Sequence, residues 1–209
     1  MTKFKLVIFD FDGTLVDSYP WFQNSFNLAA RKFRFKEVEA HELETLRSLD
    51  SKGIIKYLSI AWWKIPFIAA YMRRKFNREA QQILPFKDYE KLLRSLHEAG
   101  YSLALVTSNS LINVQAILNK EVLKYFHSLH CGVSIFGKRQ IYKKLLTKFK
   151  LHPSECLSIG DECRDIEAAS FIGMSSGAVL WGYASAEALR SKKPTFIFET
   201  FTDISEVLM

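Results

Sequence analysis

An apolar run that stops on two aspartates constrains this chain more than any other stretch. Phe4-Lys5-Leu6-Val7-Ile8-Phe9 is followed by Asp10-Phe11-Asp12-Gly13-Thr14-Leu15-Val16-Asp17-Ser18. The run fits a strand buried on both faces, as in the middle of a parallel sheet. Side chains alternate along an extended chain, so Asp10 and Asp12 point to one side at the carboxyl end of that strand. In open α/β sheets ligands bind at that end. Two like charges so close repel, and a divalent cation with hard oxygen ligands compensates them most simply. Gly13 permits a tight turn and a close approach of backbone to a ligand. Taken alone, Asp-x-Asp is equally compatible with solvated carboxylates at a strand end, so the rest of the chain has to decide.

After Ser18 the strand texture disappears for about 65 residues. Phe22, Phe26, Ala29, Ala30 and Phe33 recur at helical spacing, with Ser18 placed to cap and Pro20 in the first turn. A charged helix is expected over Val38 to Leu49. Asp50-Ser51-Lys52-Gly53 breaks it, and Asp50 or Ser51 can cap the next helix, through Leu58. Trp62, Trp63, Phe67, Ile68 and Tyr71 form a further apolar helical face around Pro66. Residues 19–84 therefore read as an all-helical insert. Residues 1–18 and 85–209 read as one α/β domain, with crossings near Asp17–Tyr19 and Leu84–Lys87.

From Asp88 the βα rhythm resumes. Leu92, Leu93 and Leu96 stripe a helix that Gly100 ends. The spacing predicts strands over Ser102–Val106, Leu129–Phe136, Cys156–Ile159, Ala178–Trp181 and Thr195–Phe198. Thr107-Ser108-Asn109-Ser110 places a hydroxyl and successive backbone N–H groups at the start of the helix Leu111–Asn119, a geometry suited to an anion as well as to a plain cap. Gly137-Lys138 precedes a helix over Ile141–Phe149. Gly160-Asp161-Glu162-Cys163-Arg164-Asp165 precedes one over Ile166–Ile172, where Ala168 and Ala169 allow close packing.

The segment from Asp10 to Ser18 resembles, residue for residue, the nucleophile motif of the haloacid dehalogenase superfamily of phosphotransferases. Val106-Thr107-Ser108-Asn109 resembles the second motif of that family, and Gly-Asp-x-x-x-Asp at Gly160–Asp165 resembles the acidic fourth. The resemblance implies a Rossmann-like core with a small helical cap inserted at residues 19–84. It further implies Asp10 as nucleophile, an aspartyl-phosphate intermediate and a magnesium ion. Magnesium would be held by Asp10, the backbone carbonyl of Asp12, and Asp161. Thr107 and Ser108 would bind a phosphate oxygen. Lys138 would be the third-motif lysine, although Arg139 stands where a proline is usual; Lys143 and Lys144 read as surface residues. Asp165 would orient Lys138 or a metal-bound water, and Glu162 could ligate through water.

Asp12 would protonate the leaving oxygen, a step a dehalogenase does not need, so a phosphatase or phosphomutase is favoured. With Trp181-Gly182-Tyr183, the pattern looks most like the phosphoglycolate-phosphatase-like branch, acting on phosphoglycolate-like esters or sugar phosphates. A catalytically idle scaffold on the same fold is the reading from another class, and the intact acidic set argues against it.

Charge agrees with an anionic substrate. The chain carries a net +7, and residues 18–84 hold twelve Lys or Arg against six acids. Arg47, Lys52 and Lys56 flank the break at Gly53 and are candidate substrate contacts of the cap. The aromatic-and-basic groove pattern of a nucleic-acid module is absent. No stretch reaches the ~18 apolar residues of a membrane span, and the apolar N-terminal run is too short for a signal peptide. Cys131, Cys156 and Cys163 are scattered without metal-ligand spacing, which suggests a reducing compartment. A cytoplasmic enzyme, monomeric or dimeric, is expected.

Overall fold

The computed structural model describes residues 4–209, so the first three residues of the expected segment 1–18 lie outside the described residues. The chain runs β1 (Leu6–Phe9), β2 (Val16–Asp17), α1 (Tyr19–Phe33), α2 (Leu43–Ser48), α3 (Ser51–Tyr57), α4 (Ile65–Arg78), β3 (Leu84–Pro85) and α5 (Tyr89–Glu98). It continues with β4 (Ser102–Val106), α6 (Leu111–Ile117), α7 (Lys120–Leu123), β5 (Phe126–His130), α8 (Lys138–Phe149), β6 (Cys156–Gly160), α9 (Cys163–Phe171), β7 (Ser175–Val179), α10 (Ala186–Ser191), β8 (Phe196–Phe198) and α11 (Phe201–Leu208).

Six strands form one parallel sheet in the order β5-β4-β1-β6-β7-β8. The first strand is central, with β4 and β6 on either side, and all four of its residues are buried. An uninterrupted apolar strand suits that position, because helices cover both faces of a parallel sheet. Phe9, Leu103, Leu105, Leu157 and Leu93 join the cluster on one face. Leu6, Ile8, Ala104, Tyr142 and Ala169 join the cluster on the other.

The helices α1 to α4 close a third hydrophobic cluster around Ala29, Ala30, Phe35, Val38 and Leu58. Chain enters and leaves this layer through β2 and β3, which pair antiparallel with Val16 opposite Pro85 and Asp17 opposite Leu84. That ribbon was not expected from the sequence, since two-residue strands carry no period to read.

Several boundaries differ from expectation. Val38–Leu49 is a short 3₁₀ turn, Ala40–Glu42, followed by α2. The strand placed at Leu129–Phe136 is instead β5, after which residues 131–137 form the loop leading into α8. Trp181 lies beyond β7, in the following turn. Ser18 makes no side-chain cap, whereas Asp50 accepts from the Gly53 N–H at 2.8 Å and caps α3. No helix among the described residues is long and apolar enough to cross a membrane.

Candidate active site

Because β1, β4 and β6 are adjacent and parallel, their carboxyl ends gather three polar segments at one rim of the sheet. Asp10 follows β1 directly, and its N–H donates to the Ile159 carbonyl at 3.0 Å, fixing it beside β6. Gly13 then turns the chain with φ +71°, a conformation that favours glycine. Asp161 follows β6, and Asp165 lies on the first turn of α9. Carboxylate oxygens of Asp10, Asp161 and Asp165 lie within 4.8 Å of one another. Asp10, Asp161 and Asp165 are respectively 4%, 0% and 1% exposed.

Glycines make room for this crowding. A Cβ on Gly160 would stand 2.4 Å from Asp165 Oδ2, and one on Gly13 would stand 2.2 Å from Asp161 Oδ2. A Cβ on Gly182 would stand 2.2 Å from the Asp161 Cβ. Asp161 and Asp165 are therefore seated against backbone that no larger residue could supply.

The compensating charge comes from Lys138, the first residue of α8, only 2% exposed. Its Nζ lies 2.9 Å from Asp10 Oδ2 and donates to Asp165 Oδ1 at 2.5 Å. Lys143 and Lys144, on the same helix, are exposed. Burial by itself would lower the Lys138 pKa, but Asp10 and Asp165 reverse this and raise it, so the ammonium stays charged. Burial lifts Asp10 to about 6 even with Lys138 opposing. Asp161 is raised well above the usual carboxylate range by burial, then by Glu162, Asp10 and Asp165. One lysine does not neutralise this group.

Asp12 stands apart from the buried cluster. It is half-buried, opens on a cleft under the helical layer, and accepts from Asn109 Nδ2 at 3.2 and 3.1 Å. Burial first, and the Asp10 charge second, raise it to about 7. Thr107 is buried at the end of β4, and its Oγ1 accepts from the Asn109 N–H at 2.9 Å, leaving its own proton to donate. Ser108 lines the cleft, and Arg73 of α4 donates to its carbonyl at 3.4 Å.

The donor set fits a hard divalent cation. Asp10 Oδ2 is buried and makes no hydrogen bond, having only the ion pair with Lys138. Asp165 is engaged on both oxygens, by Lys138 and by the Glu162 N–H at 3.1 Å. Asp161 accepts one bond on each oxygen, from Thr14 Oγ1 at 2.9 Å and from the Tyr183 N–H at 2.8 Å, and each oxygen keeps a second lone pair. Asp10 and Asp161 are thus the side chains with ligand capacity left, and Asp165 serves Lys138.

Three participants escaped the sequence reading. Asn109 tethers Asp12, Tyr183 closes over Asp161 through its N–H, and Arg164 sits beside Glu162 at 2.5 Å. The Asn109 signal lay within the Thr-Ser-Asn segment, and Gly182-Tyr183 was marked only as a family feature. Arg164 reads as an ordinary helix residue, yet its Nε is buried without a partner and it lines the cleft.

The three expected cap contacts differ in placement, and Arg47 lines a cavity beside Glu162 and Tyr183. Arg47 donates to the carbonyls of Tyr183 at 3.1 Å and Gly182 at 3.3 Å, tying α2 to the loop over Asp161. Lys52 and Lys56 are exposed and do not line the cleft that Asp12 faces. Helical spacing fixed these residues near the break at Gly53 without fixing which way the helix turned them. Cys163 is buried, with its thiol pushed up to about 11 by burial, which leaves it passive.

A family model described as haloacid dehalogenase-like hydrolase matches residues 7–179. The phosphoglycolate phosphatase of Synechococcus elongatus is 30% identical, covering 97% of this chain and 96% of its own length. That of Vibrio cholerae is 27% identical over 100% of this chain and 99% of its own. A solved structure from Lactobacillus plantarum superposes with a TM-score of 0.83 at 19% identity, covering 100% of both chains.

Proposed function

The chain belongs to the haloacid dehalogenase-like hydrolase family and is a phosphatase within it; from that premise we propose magnesium-dependent hydrolysis of a small phosphate monoester through an aspartyl-phosphate on Asp10. The observation that carries the reading is the pairing of a buried, under-compensated Asp10 with an Asp12 that faces an open cleft.

Asp10 attacks phosphorus through a carboxylate oxygen, and the bond to the leaving oxygen breaks. Asp12 gives that oxygen its proton, so an alcohol departs. Asp12, now ionised, takes a proton from water as the water attacks phosphorus, releasing inorganic phosphate and restoring Asp10. A general acid that later serves as base works best with a pKa near the working pH, and such help contributes roughly 10²–10⁴-fold. Splitting the displacement in two replaces one hard step with two easier ones. Lys138 offsets the repulsion between the Asp10 carboxylate and the incoming phosphate. Asp165 holds Lys138 in place, and Asn109 holds Asp12. Thr107 and Ser108 would hold the phosphoryl oxygens by hydroxyl and N–H. Magnesium, bound by Asp10, Asp161 and the Asp12 carbonyl, would supply Lewis-acid neutralisation of the transferring group's charge. The layer α1–α4 would act as a cap over the rim, excluding water.

The relatives' name makes phosphoglycolate the ester to try first, with sugar phosphates beside it. The test is turnover of p-nitrophenyl phosphate with magnesium and with EDTA, joined to acid quenching and mass measurement. Magnesium-dependent turnover and an acid-stable 80 Da adduct on an Asp10 peptide are expected on general chemical grounds. Turnover surviving in Asp10→Asn would overturn the assignment.

A further inference from the structure

The cleft that opens from Asp12 holds about 670 Å³ and runs beneath α3 and α4. Its charged groups gather at the catalytic end, where Asp12, Glu162, Arg164 and Arg73 line it beside Ser108 and Asn109, while Ser51 and Ser134 add single hydroxyls farther along the wall. Arg164 is neutralised by Glu162 at 2.5 Å, and Arg73 reaches back to the Ser108 carbonyl. Away from that end the wall changes character. Ile54, Ile55, Ile60, Ile65, Ile68 and Met72 line it from the helical layer, and Val133, Ile135 and Phe136 face them from the loop before α8. At the mouth, Trp62 is 80% exposed and Phe136 is 57% exposed.

Asp12 fixes what this cavity must receive. It is the group placed to protonate the leaving oxygen, so whatever is attached to that oxygen extends into the cleft. A short acid such as glycolate would stay at the polar end, where Arg73 has no carboxylate partner among the described residues, and would not reach the aliphatic wall. It would also leave most of the wall wet. Ligand cavities of ~300–1,000 Å³ with apolar walls and a few polar groups at one end are built for larger, largely apolar bodies.

We propose, resting on the phosphatase reading above but replacing its small ester with a larger one, that the natural substrate is a monoester of a bulky apolar alcohol or phenol. Its phosphate sits at Asp10, and its alkyl or aryl body lies between α3–α4 and the loop at residues 133–136. Most of the cap's basic side chains, Lys52, Lys56, Arg74 and Arg78 among them, are exposed and draw the anionic ester in, and the cleft selects by apolar contact.

The test compares methyl, butyl and octyl phosphate, below micelle-forming concentrations, with 2-phosphoglycolate, all with magnesium. Each buried methylene is worth about fourfold in kcat/KM. Octyl phosphate should therefore exceed methyl phosphate by more than ~100-fold, and phosphoglycolate should fall below butyl phosphate. A flat series, or phosphoglycolate outrunning octyl phosphate, overturns the proposal and leaves the phosphatase reading standing. Turnover of none of the four overturns the phosphatase reading instead. The cleft is then judged by calorimetric binding of octylphosphonate against methylphosphonate. Tighter octylphosphonate binding with a negative heat-capacity change supports an apolar site, and equal affinities overturn it. Ile65→Glu, at the first turn of α4 where a carboxylate suits the helix dipole, should erase the chain-length rise. A rise that survives this change overturns the placement.

Discussion

Replacing Lys138 by Met tests the electrostatics at the centre of the site. The substitution keeps most of the side-chain volume and removes one positive charge between Asp10, at 2.9 Å, and Asp165, at 2.5 Å. All three groups are almost fully buried, so water cannot take over the role of the ammonium. Breaking a buried pair by deleting one partner costs ~3–5 kcal/mol, because the other charge is stranded. Here two carboxylates are stranded, with Asp161 beside them, which places the expected loss in the upper part of that range. Urea denaturation in EDTA, at several pH values, measures it.

The sign with pH follows from Asp10, whose carboxyl burial already raises to about 6. Without Lys138 it rises further, and a carboxyl with a raised folded pKa favours the folded state only while protonated. The loss in Lys138→Met should therefore be largest above pH 7 and shrink as pH falls. Adding Asp165→Asn removes one stranded charge, so the double variant should recover ~1–3 kcal/mol of coupling. Equal costs of Lys138→Met in the two backgrounds, or a loss independent of pH, would refute the reasoning.

Two further outcomes follow from the same geometry. Gly182→Ala puts a methyl 2.2 Å from the Asp161 Cβ, so the carboxylate or the loop must shift. A 1 Å misplacement can cost ~10²-fold, and kcat should fall to that extent while the far-ultraviolet spectrum is unchanged. Asp12→Asn should slow alkyl phosphates by ~10²–10⁴-fold. It should slow p-nitrophenyl phosphate much less, because nitrophenolate leaves without a proton; equal losses on both esters would remove Asp12 from that role.

Much of this site was readable from the chain because it is built from strand ends. An apolar run marks a strand, the strand marks a sheet position, and the residue after it marks the rim, so Asp10, Thr107 and Asp161 could each be placed from a local pattern. Lys138 came from its position at a helix start, and α8 does begin there. What could not be read depends on contacts between distant segments. β2 and β3 pair across the whole helical layer, and Gly182 is defined by the Asp161 side chain it clears. Arg47 lies near the break at Gly53, but its guanidinium is turned to the carbonyls of Gly182 and Tyr183.

The cleft shows why hydrophobic periodicity alone could not reveal what the protein takes hold of. On α4, Ile68 and Met72 belong both to the cluster shared with α1 and to the cleft wall, while Ile65 and Ala69 line the cleft. A period of 3.6 reports that a face avoids water and is silent on whether protein or ligand covers it. For the same reason spacing alone did not show that Lys52 and Lys56 face solvent while Arg47 turns to the loop over Asp161. The buried acidic cluster was legible at the strand ends, where charge is costly and its placement strict. Which side of a helix meets no protein, and so is left to line a cleft, only the folded chain distinguishes.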